Sequence, residues 1–274
     1  MFELKIGKSG LAEQDEEKTI SNKCTFSFLK KILEGVFEIV KNSEMKITPE
    51  GLYIQAMDTM QVSMVDIFVK SSAFESFRCD KNLALGLPLQ YILKIFRSLP
   101  VDGSTSILLS ANDDATDLNI TCEDDSKKYS SKIKLLDLAG EEYTFPSQEY
   151  AASIKLDNGE FQRVIKTLGA FGETLAIDAT EKGFQFSQQS EVGNTEIFFA
   201  LEEAGENSPT KSFQVRINDT VHISLPYKYM AIFGKFGSLG SDISISMTTG
   251  LPIHMTSQIS VGYLNYYIAP RDDE

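Results

Sequence analysis

The sequence has little of what builds metal centres, disulfides or membrane spans. It contains three cysteines and two histidines, without a C-x-x-C pair, so it lacks the ligand spacing of a zinc site. No apolar run approaches the roughly 18 residues that a membrane span requires, and the N-terminus lacks the apolar core of a secretory signal. We therefore expect a soluble intracellular protein with reduced thiols, no metal and no membrane association.

Catalytic patterns are missing as well. We find no phosphate-binding glycine loop and no nucleophile–base constellation. Asp113, Asp114 and Asp117 lie in or beside one acidic segment and could serve a carboxylate-based hydrolase. However, Asp and Asn also favour turns, because their side chains hydrogen-bond to nearby backbone. We expect a turn here, with no catalytic residue and no cofactor; metal-dependent turnover would favour the hydrolase instead.

The chain carries one structural pattern twice. A helix predicted at about residues 25–40 precedes a strand–turn–strand that contains Gly51, and a helix that includes Glu160 precedes the same arrangement with Gly183. The helices align as Leu29 with Phe161, Lys31 with Arg163, Ile32 with Val164, Leu33 with Ile165 and Val36 with Leu168. Solenoid repeats are shorter, at roughly 20–50 residues, so the pattern indicates a domain duplication.

Two domains are compatible with the length of 274 residues, since a domain typically takes about 100–200. We place them at residues 1–134 and 151–274, with an acidic connector at 135–150. The connector contains Tyr143 and Phe145, and linkers rarely expose aromatic side chains. We therefore expect it either to pack onto a domain or to border an apolar groove that a peptide fills.

Residues 74–99 are predicted to form a strand and then a helix. Pro88 suits the first turn of that helix, where its missing N–H costs nothing. An apolar stripe follows at helical spacing, formed by Ile92, Leu93, Ile95, Phe96 and Leu99. Lys94 and Arg97 fall off the stripe and share one face. The register returns at Leu225–Tyr229, with Lys235 in the place of Arg97.

Further elements follow from alternation and turn residues. Residues 1–6 are predicted to be a strand and residues 7–23 an acidic loop. The segments 46–69, 106–111 and 117–121 are predicted to be strands, interrupted by a turn at 49–51, a loop at 57–61 and the acidic turn at 112–116.

The charge distribution favours one basic surface on an acidic body. The net charge of −13 argues against nucleic acid at first sight, because phosphate binding relies on Lys and Arg. The four predicted helices nevertheless carry outward cations, namely Lys30, Lys31, Lys94, Arg97, Arg163, Lys166, Lys228 and Lys235. Such a surface can hold DNA weakly and without sequence specificity. The alternative is that each pair is only the solvated face of its helix.

Two predicted strands have complementary character. Residues 127–134 are basic, whereas residues 191–201 are acidic and hydrophobic. If both are sheet edges, they invite partner strands, and a head-to-tail contact between copies closes into a ring when the rotation allows. Pairing within the chain is the alternative.

Several motifs together resemble the eukaryotic sliding clamp family, proliferating cell nuclear antigen. They are QAMDTMQVSMV around Asp58, FRCDKNLALG, KLLDL, the GEF within 158–163, EVGN and the ending YLNYYIAPRDDE. The resemblance extends from about Thr25 to Arg271. It implies a homotrimeric ring of six similar α+β domains, with sheets outside and two helices of each domain lining a channel for duplex DNA.

The resemblance also implies partners and a place in the cell. The ring would bind double-stranded DNA non-specifically and tether a DNA polymerase, the clamp loader and other enzymes with a PIP motif, such as flap endonuclease and DNA ligase, in the nucleus. The alternative is a non-ring or heteromeric clamp relative, either a viral processivity factor or a checkpoint clamp subunit. Neither class is an enzyme.

Functional residues of the family match this sequence position by position. The eight helix cations above match the DNA-facing set, with Lys127 as a further candidate at the rim. The peptide-binding cavity, which accepts a Gln and two aromatic anchors, matches Met57, Val62, Met64, Tyr143, Phe145, Pro146, Pro252, Tyr267, Ile268, Ala269 and Pro270, with support from Gln61 and Gln148. Asp58 matches the loop that the clamp loader contacts.

Three positions depart from the family pattern. Phe37 replaces a basic residue of the first helix. Glu181, beside Lys182, replaces the modifiable lysine. Ser131 replaces an aromatic residue of the interface strand, and Tyr129 lies two residues away on the same face.

Overall fold

The structure is a computed structural model that describes residues 1–7, 23–102, 105–140, 142–144, 148–169, 172–201 and 213–271. The chain divides into two compact units. Unit 1 comprises residues 1–57, 65–143 and 259–264, and unit 2 comprises 58–64, 144–258 and 265–274. The predicted loop at 7–23 lies, apart from its two end residues, outside the described residues.

Unit 1 combines strands with two adjacent helices. Its main elements are β1 (Phe2–Ile6), α1 (Phe26–Ile39), β2 (Asn42–Thr48), β3 (Gly51–Met57), β4 (Ser63–Lys70), β5 (Ser76–Cys79), β6 (Leu83–Pro88), α2 (Leu89–Ser98), β7 (Ser106–Ala111), β8 (Asp117–Glu123) and β9 (Lys128–Lys134). One antiparallel sheet has the order β5-β1-β7-β8-β9, and β6-β2-β3-β4 run side by side in another. The first two residues of β4 belong to unit 2.

Unit 2 repeats the plan. It contains β10 (Ala152–Asp157), α3 (Asn158–Leu168), β11 (Thr174–Thr180), β12 (Gly183–Ser190), β13 (Gly193–Ala200), β14 (Phe213–Ile217), β15 (Val221–Pro226), α4 (Tyr227–Gly237), β16 (Asp242–Met247), β17 (Ile253–Ser257) and the last residues of β18 (Gly262–Ile268). Its strands are ordered β13-β12-β11-β15 in one sheet and β14-β10-β16-β17 in another.

The helices begin where the sequence supplies a cap or a proline. The Thr25 hydroxyl accepts a hydrogen bond from the Phe28 amide at 3.1 Å, and the Asp157 carboxylate accepts one from the Gly159 amide at 2.8 Å; both satisfy amides that a helix start leaves unpaired. Pro88 ends β6 and immediately precedes α2, one position before the predicted first turn. Pro226 stands in the same place before α4.

The predicted duplication is confirmed in the packing. The aligned apolar residues of α1 and α3 are all buried, namely Leu29, Ile32, Leu33 and Val36 in one and Phe161, Val164, Ile165 and Leu168 in the other. Gly51 and Gly183 both adopt positive φ angles, of 153° and 146°. A Cβ atom at position 51 would lie 2.0 Å from the Val69 carbonyl oxygen, and one at position 183 would lie 2.1 Å from the Phe199 carbonyl oxygen. Both tight turns therefore require glycine.

Most predicted strands are present with shifted ends. β7 matches the predicted 106–111, β8 extends two residues further than predicted, and β3 continues through Met57, so the loop begins at Asp58. The acidic segment forms a turn in which the Ala115 amide donates to the Asn112 carbonyl at 3.0 Å. Within the described residues, no helix has both the length and the apolar character of a membrane crossing.

Candidate DNA-binding and partner-binding surfaces

The helices of unit 1 separate apolar from charged residues as predicted. In α2, Ile92, Leu93 and Phe96 are buried, whereas Lys94 and Arg97 are exposed. In α1, Lys31 is exposed and Lys30 is half-buried. The cations therefore lie on the solvent-facing side of both helices.

Arg97 has a partner that the sequence analysis missed. Its Nε and Nη2 atoms donate to Oε1 of Glu34 on α1 at 3.3 and 3.2 Å. Exposed ion pairs contribute only about 0–1 kcal/mol. Glu34 thus orients the Arg97 guanidinium. Exchanging this ion pair for a contact with a phosphate would cost little free energy.

Phe37, which the resemblance matches with a basic position, has a cation next to it. Nζ of Lys41 is 4.0 Å from the centroid of the Phe37 ring, a distance at which a cation is attracted to an aromatic face. Lys41 lies two residues beyond the end of α1 and is exposed. The end of α1 therefore retains a positive charge.

The cations of unit 2 are placed similarly on its helices. Lys166 of α3 and Lys235 of α4 are exposed, and Nζ of Lys228 lies 4.4 Å from the centroid of the Tyr229 ring. Arg163 is 79% exposed and its Nη1 atom pairs with Oε2 of Glu160 at 3.0 Å. Both units therefore present cations from both of their helices.

Lys127 lies in the turn that precedes β9. It is exposed, and its backbone amide donates to the Asp124 carboxylate at 2.7 Å. The hydrogen bonds of this turn hold the pKa of Asp124 below its usual value, chiefly those from the Ser126 amide and hydroxyl. The lysine side chain is thus carried by an ordered turn.

The two complementary strands are both sheet edges. In the described residues, β9 pairs only with β8, and β13 pairs only with β12. β9 exposes Lys128, Tyr129 and Lys132, while β13 exposes Glu196 and Phe198. Pairing of these edges within the chain, the alternative left open by the sequence, is not present among the described residues.

Asp58 organises the loop between β3 and β4. It is 8% exposed, and its carboxylate accepts hydrogen bonds from the amides of Met60, Val62 and Ser63 at 3.2, 2.8 and 2.6 Å. A fourth comes from the hydroxyl of Tyr229 at 2.8 Å. The carboxylate is turned inward, so the exposed surface of this loop is formed by neighbours such as Met60, which is 71% exposed.

The hydrogen bonds to the Asp58 carboxylate also affect its pKa. Burial alone would raise it, but the hydrogen bonds from Ser63, Tyr229, Met60 and Val62 together favour the ionised form and lower the pKa below its usual value. Burial, and then the hydrogen bond to Asp58, raise the pKa of Tyr229. Sequence analysis did not identify Tyr229 as a partner of Asp58, because the two residues are 171 positions apart along the chain.

Several residues of the predicted peptide cavity belong to unit 2. The Ala269 amide donates to the Val62 carbonyl at 2.8 Å, which ties the end of β18 to the loop. Pro252, Tyr267, Ala269 and Pro270 are half-buried, Gln148 is half-buried and Gln61 is exposed. The hydrogen bond between Ala269 and Val62 therefore connects two of the predicted residues within unit 2.

Two predicted cavity residues do not fit their assignment. Met64 is 2% exposed and Ile268 is fully buried, because both face the protein interior at their positions in β4 and β18. They can support a binding surface from below but cannot contact a ligand as the protein stands. Phe145 and Pro146 lie outside the described residues.

The remaining predicted cavity residues, Met57 and Tyr143, belong to unit 1 and are half-buried. The Gln55 side-chain amide makes two hydrogen bonds with the Tyr143 backbone. Its Oε1 atom accepts from the Tyr143 N–H at 3.2 Å, and its Nε2 atom donates to the Tyr143 carbonyl at 3.3 Å. The Leu136 amide also donates to the Gly86 carbonyl at 2.8 Å. The described first part of the connector therefore packs onto unit 1, and Gln55 is a contact that sequence analysis missed.

Two α+β units of one plan, with cations on all four helices and exposed edge strands, are the architecture of a DNA clamp subunit. Family models agree with this class. Residues 22–142 match the model of the N-terminal domain of proliferating cell nuclear antigen, and residues 144–271 match that of its C-terminal domain. The chain therefore belongs to the proliferating cell nuclear antigen family of sliding clamps, whose members are non-catalytic scaffolds that act on DNA in replication.

Proposed function

We propose that the protein is a homotrimeric sliding clamp that encircles duplex DNA in the nucleus and holds replication and repair enzymes on it. We assign residues 1–134 and 151–274 as its clamp domains and 135–150 as the connector. The observation that carries the proposal is a pair of unlike edge strands, each with one side open among the described residues. β9 carries three lysines, whereas the one charged residue of β13 is Glu196.

Pairing of β9 with β13 of a neighbouring copy would satisfy both backbone edges. The lysines of β9 would face an edge that carries Glu196, and Tyr129 and Phe198 could add apolar contact, since these side chains are 41% and 53% exposed. Because the two edges differ, the contact is heterologous and closes only as a ring or continues as a filament.

DNA would be held by topology and weak phosphate contacts. The proposed contacts are Lys30, Lys31, Lys94, Arg97, Lys127, Arg163, Lys166, Lys228 and Lys235. Phosphate contacts carry no sequence information, so the ring could slide. The acidic remainder of the chain would repel DNA outside the channel.

Partner enzymes would bind through a short peptide. We assign the peptide to the surface that includes Val62, Pro252, Tyr267, Ala269 and Pro270, with polar support from Gln61 and Gln148; Met57, Tyr143, Phe145 and Pro146 complete the proposed set. A polymerase, the clamp loader, flap endonuclease and DNA ligase are the proposed partners.

A heteromeric clamp subunit is the second candidate. It is favoured by Ser131, a half-buried residue of β9 at a position where the family has an aromatic side chain in the subunit interface. In that case the chain alone would not trimerise, and its β9 edge would require a different partner.

The proposal is tested by retention on DNA. The protein is loaded onto nicked circular duplex with a clamp loader, isolated by gel filtration, and the circle is then cut with a restriction enzyme. A sliding ring is released on cutting and retained on uncut circles. Equal retention on both forms would contradict encirclement.

A further inference from the structure

Unit 2 contains a stack of three planar side chains. The imidazole of His254 on β17 is nearly parallel to the Tyr267 ring on β18, at a centroid distance of 4.6 Å and an interplanar angle of 7°. The Tyr150 ring lies at 6.0 Å from the imidazole, with an angle of 29°. Stacked rings at these distances attract each other beyond simple burial.

The orientation of the imidazole is fixed independently of the stack. Nε2 of His254 lies 3.1 Å from Oδ1 of Asn265 on β18. Since an amide oxygen only accepts, Nε2 carries the proton in this contact. The hydrogen bond and the Tyr150 ring together give the imidazole a defined plane against which Tyr267 lies.

The backbone beside Tyr267 is also held. Tyr267 lies within β18, and two residues later the Ala269 amide is bonded to the Val62 carbonyl at 2.8 Å. The half-buried Tyr267 ring lies flat against the imidazole of His254, and this contact restricts its side-chain rotamers.

We propose that His254 is a positioning residue for peptide capture, which holds the Tyr267 ring in its binding orientation before the peptide arrives. This inference rests on the proposed function, in which Tyr267 contacts the partner peptide. Preorganisation raises affinity because fewer side-chain torsions must be ordered on binding. A planar ring at position 254 is therefore the requirement, rather than a residue of similar volume.

The test compares three substitutions at one position. A synthetic peptide with a Gln and two aromatic anchors is titrated into the full-length protein by calorimetry. His254→Phe keeps a planar ring, His254→Leu keeps volume without a planar face, and His254→Ala removes both. We expect Phe to bind within about twofold of the wild type and Leu and Ala to bind about two- to tenfold more weakly, the range for ordering one side chain.

His222 provides the matched control. It is the other histidine of the chain, is exposed on β15, and its Nδ1 atom lies 2.5 Å from Oδ1 of Asp178. His222→Ala should leave the peptide affinity unchanged. Thermal melting of each variant confirms that it is folded. By NMR, the resonances of the Tyr267 ring should lose the ring-current shift from residue 254 in the Leu variant and retain one in the Phe variant.

The outcomes separate the inference from its premise. Equal binding by the Leu and Phe variants, or unchanged binding by the Ala variant, would overturn the positioning role while the proposed function stands. If the wild type itself does not bind the peptide, both fail together.

Discussion

The hydroxyl of Tyr229 donates a hydrogen bond to the carboxylate of Asp58 at 2.8 Å. Both residues are nearly buried, at 3% and 8% exposure, and both belong to unit 2. The contact links the loop that contains Met60 to helix α4, so the shape of the loop depends on a residue far along the chain.

Tyr229→Phe should destabilise the protein. It removes a hydrogen bond to a charged group, typically worth about 1.5–3 kcal/mol, and leaves the Asp58 carboxylate with one donor fewer. Tyr227→Phe is the matched control on the same helix, because the Tyr227 hydroxyl donates to the neutral Ile165 carbonyl at 2.7 Å, a bond worth about 0.5–1.5 kcal/mol. Denaturant unfolding measures both, and an equal or smaller loss for Tyr229→Phe would contradict the account.

The stability contributed by Asp58 should depend on pH. Its pKa is lowered in the folded protein from an ordinary value of 3.8, so the unfolded chain takes up its proton first as the pH falls. The stabilisation is therefore fully present above the unfolded pKa and is lost as pH falls through the folded pKa. The free energy of unfolding of wild type minus that of Asp58→Asn should shrink from pH 6 toward pH 3; a constant difference would contradict the assignment.

Replacing Lys94 and Arg97 with Ala should weaken DNA association and processive primer extension without changing assembly. Two lost phosphate contacts should reduce the slope of log affinity against log salt by about 1.8, at about 0.9 per contact. Lys70 and Arg78, exposed cations of β4 and β5, provide a control with the same change in net charge. An equal effect of both double variants would indicate general electrostatics instead of a specific surface.

Tyr267→Ala should weaken peptide binding strongly, and Tyr267→Ala combined with Phe145→Ala should weaken it further. Truncating an aromatic anchor typically costs about 2 kcal/mol or more, roughly a 30-fold loss of affinity. Tyr263→Ala is the control on the same strand, since its ring is 39% exposed and contacts Phe68 instead, at a centroid distance of 5.5 Å and an interplanar angle of 43°. Unaltered calorimetric affinity in the Tyr267 variant would refute the peptide surface.

Local patterns predicted the fold well. Apolar spacing located the buried faces of α1 and α3, and the strained turns at Gly51 and Gly183 were marked by glycine in equivalent positions. Element ends shifted by a residue or two, as for Pro88, because the pairing of β6 with β2 continues up to the helix.

The site was predicted less completely, because its contacts join residues distant in sequence. Arg97 and Glu34 are 63 positions apart and Gln55 and Tyr143 are 88 apart, so no local pattern connects them. The burial of Met64 and Ile268 depends on which face of each strand turns inward. Family resemblance identifies positions, but it does not give the orientation of side chains in this chain.

The native mass at a series of protein concentrations tests the ring most directly. Light scattering at moderate salt should give a particle of three chains of 30.5 kDa each that persists on dilution. A charge reversal at Glu196 of β13 should lower the measured mass. A monomer at every concentration would contradict the homotrimer and favour a subunit whose β9 edge pairs with a different protein.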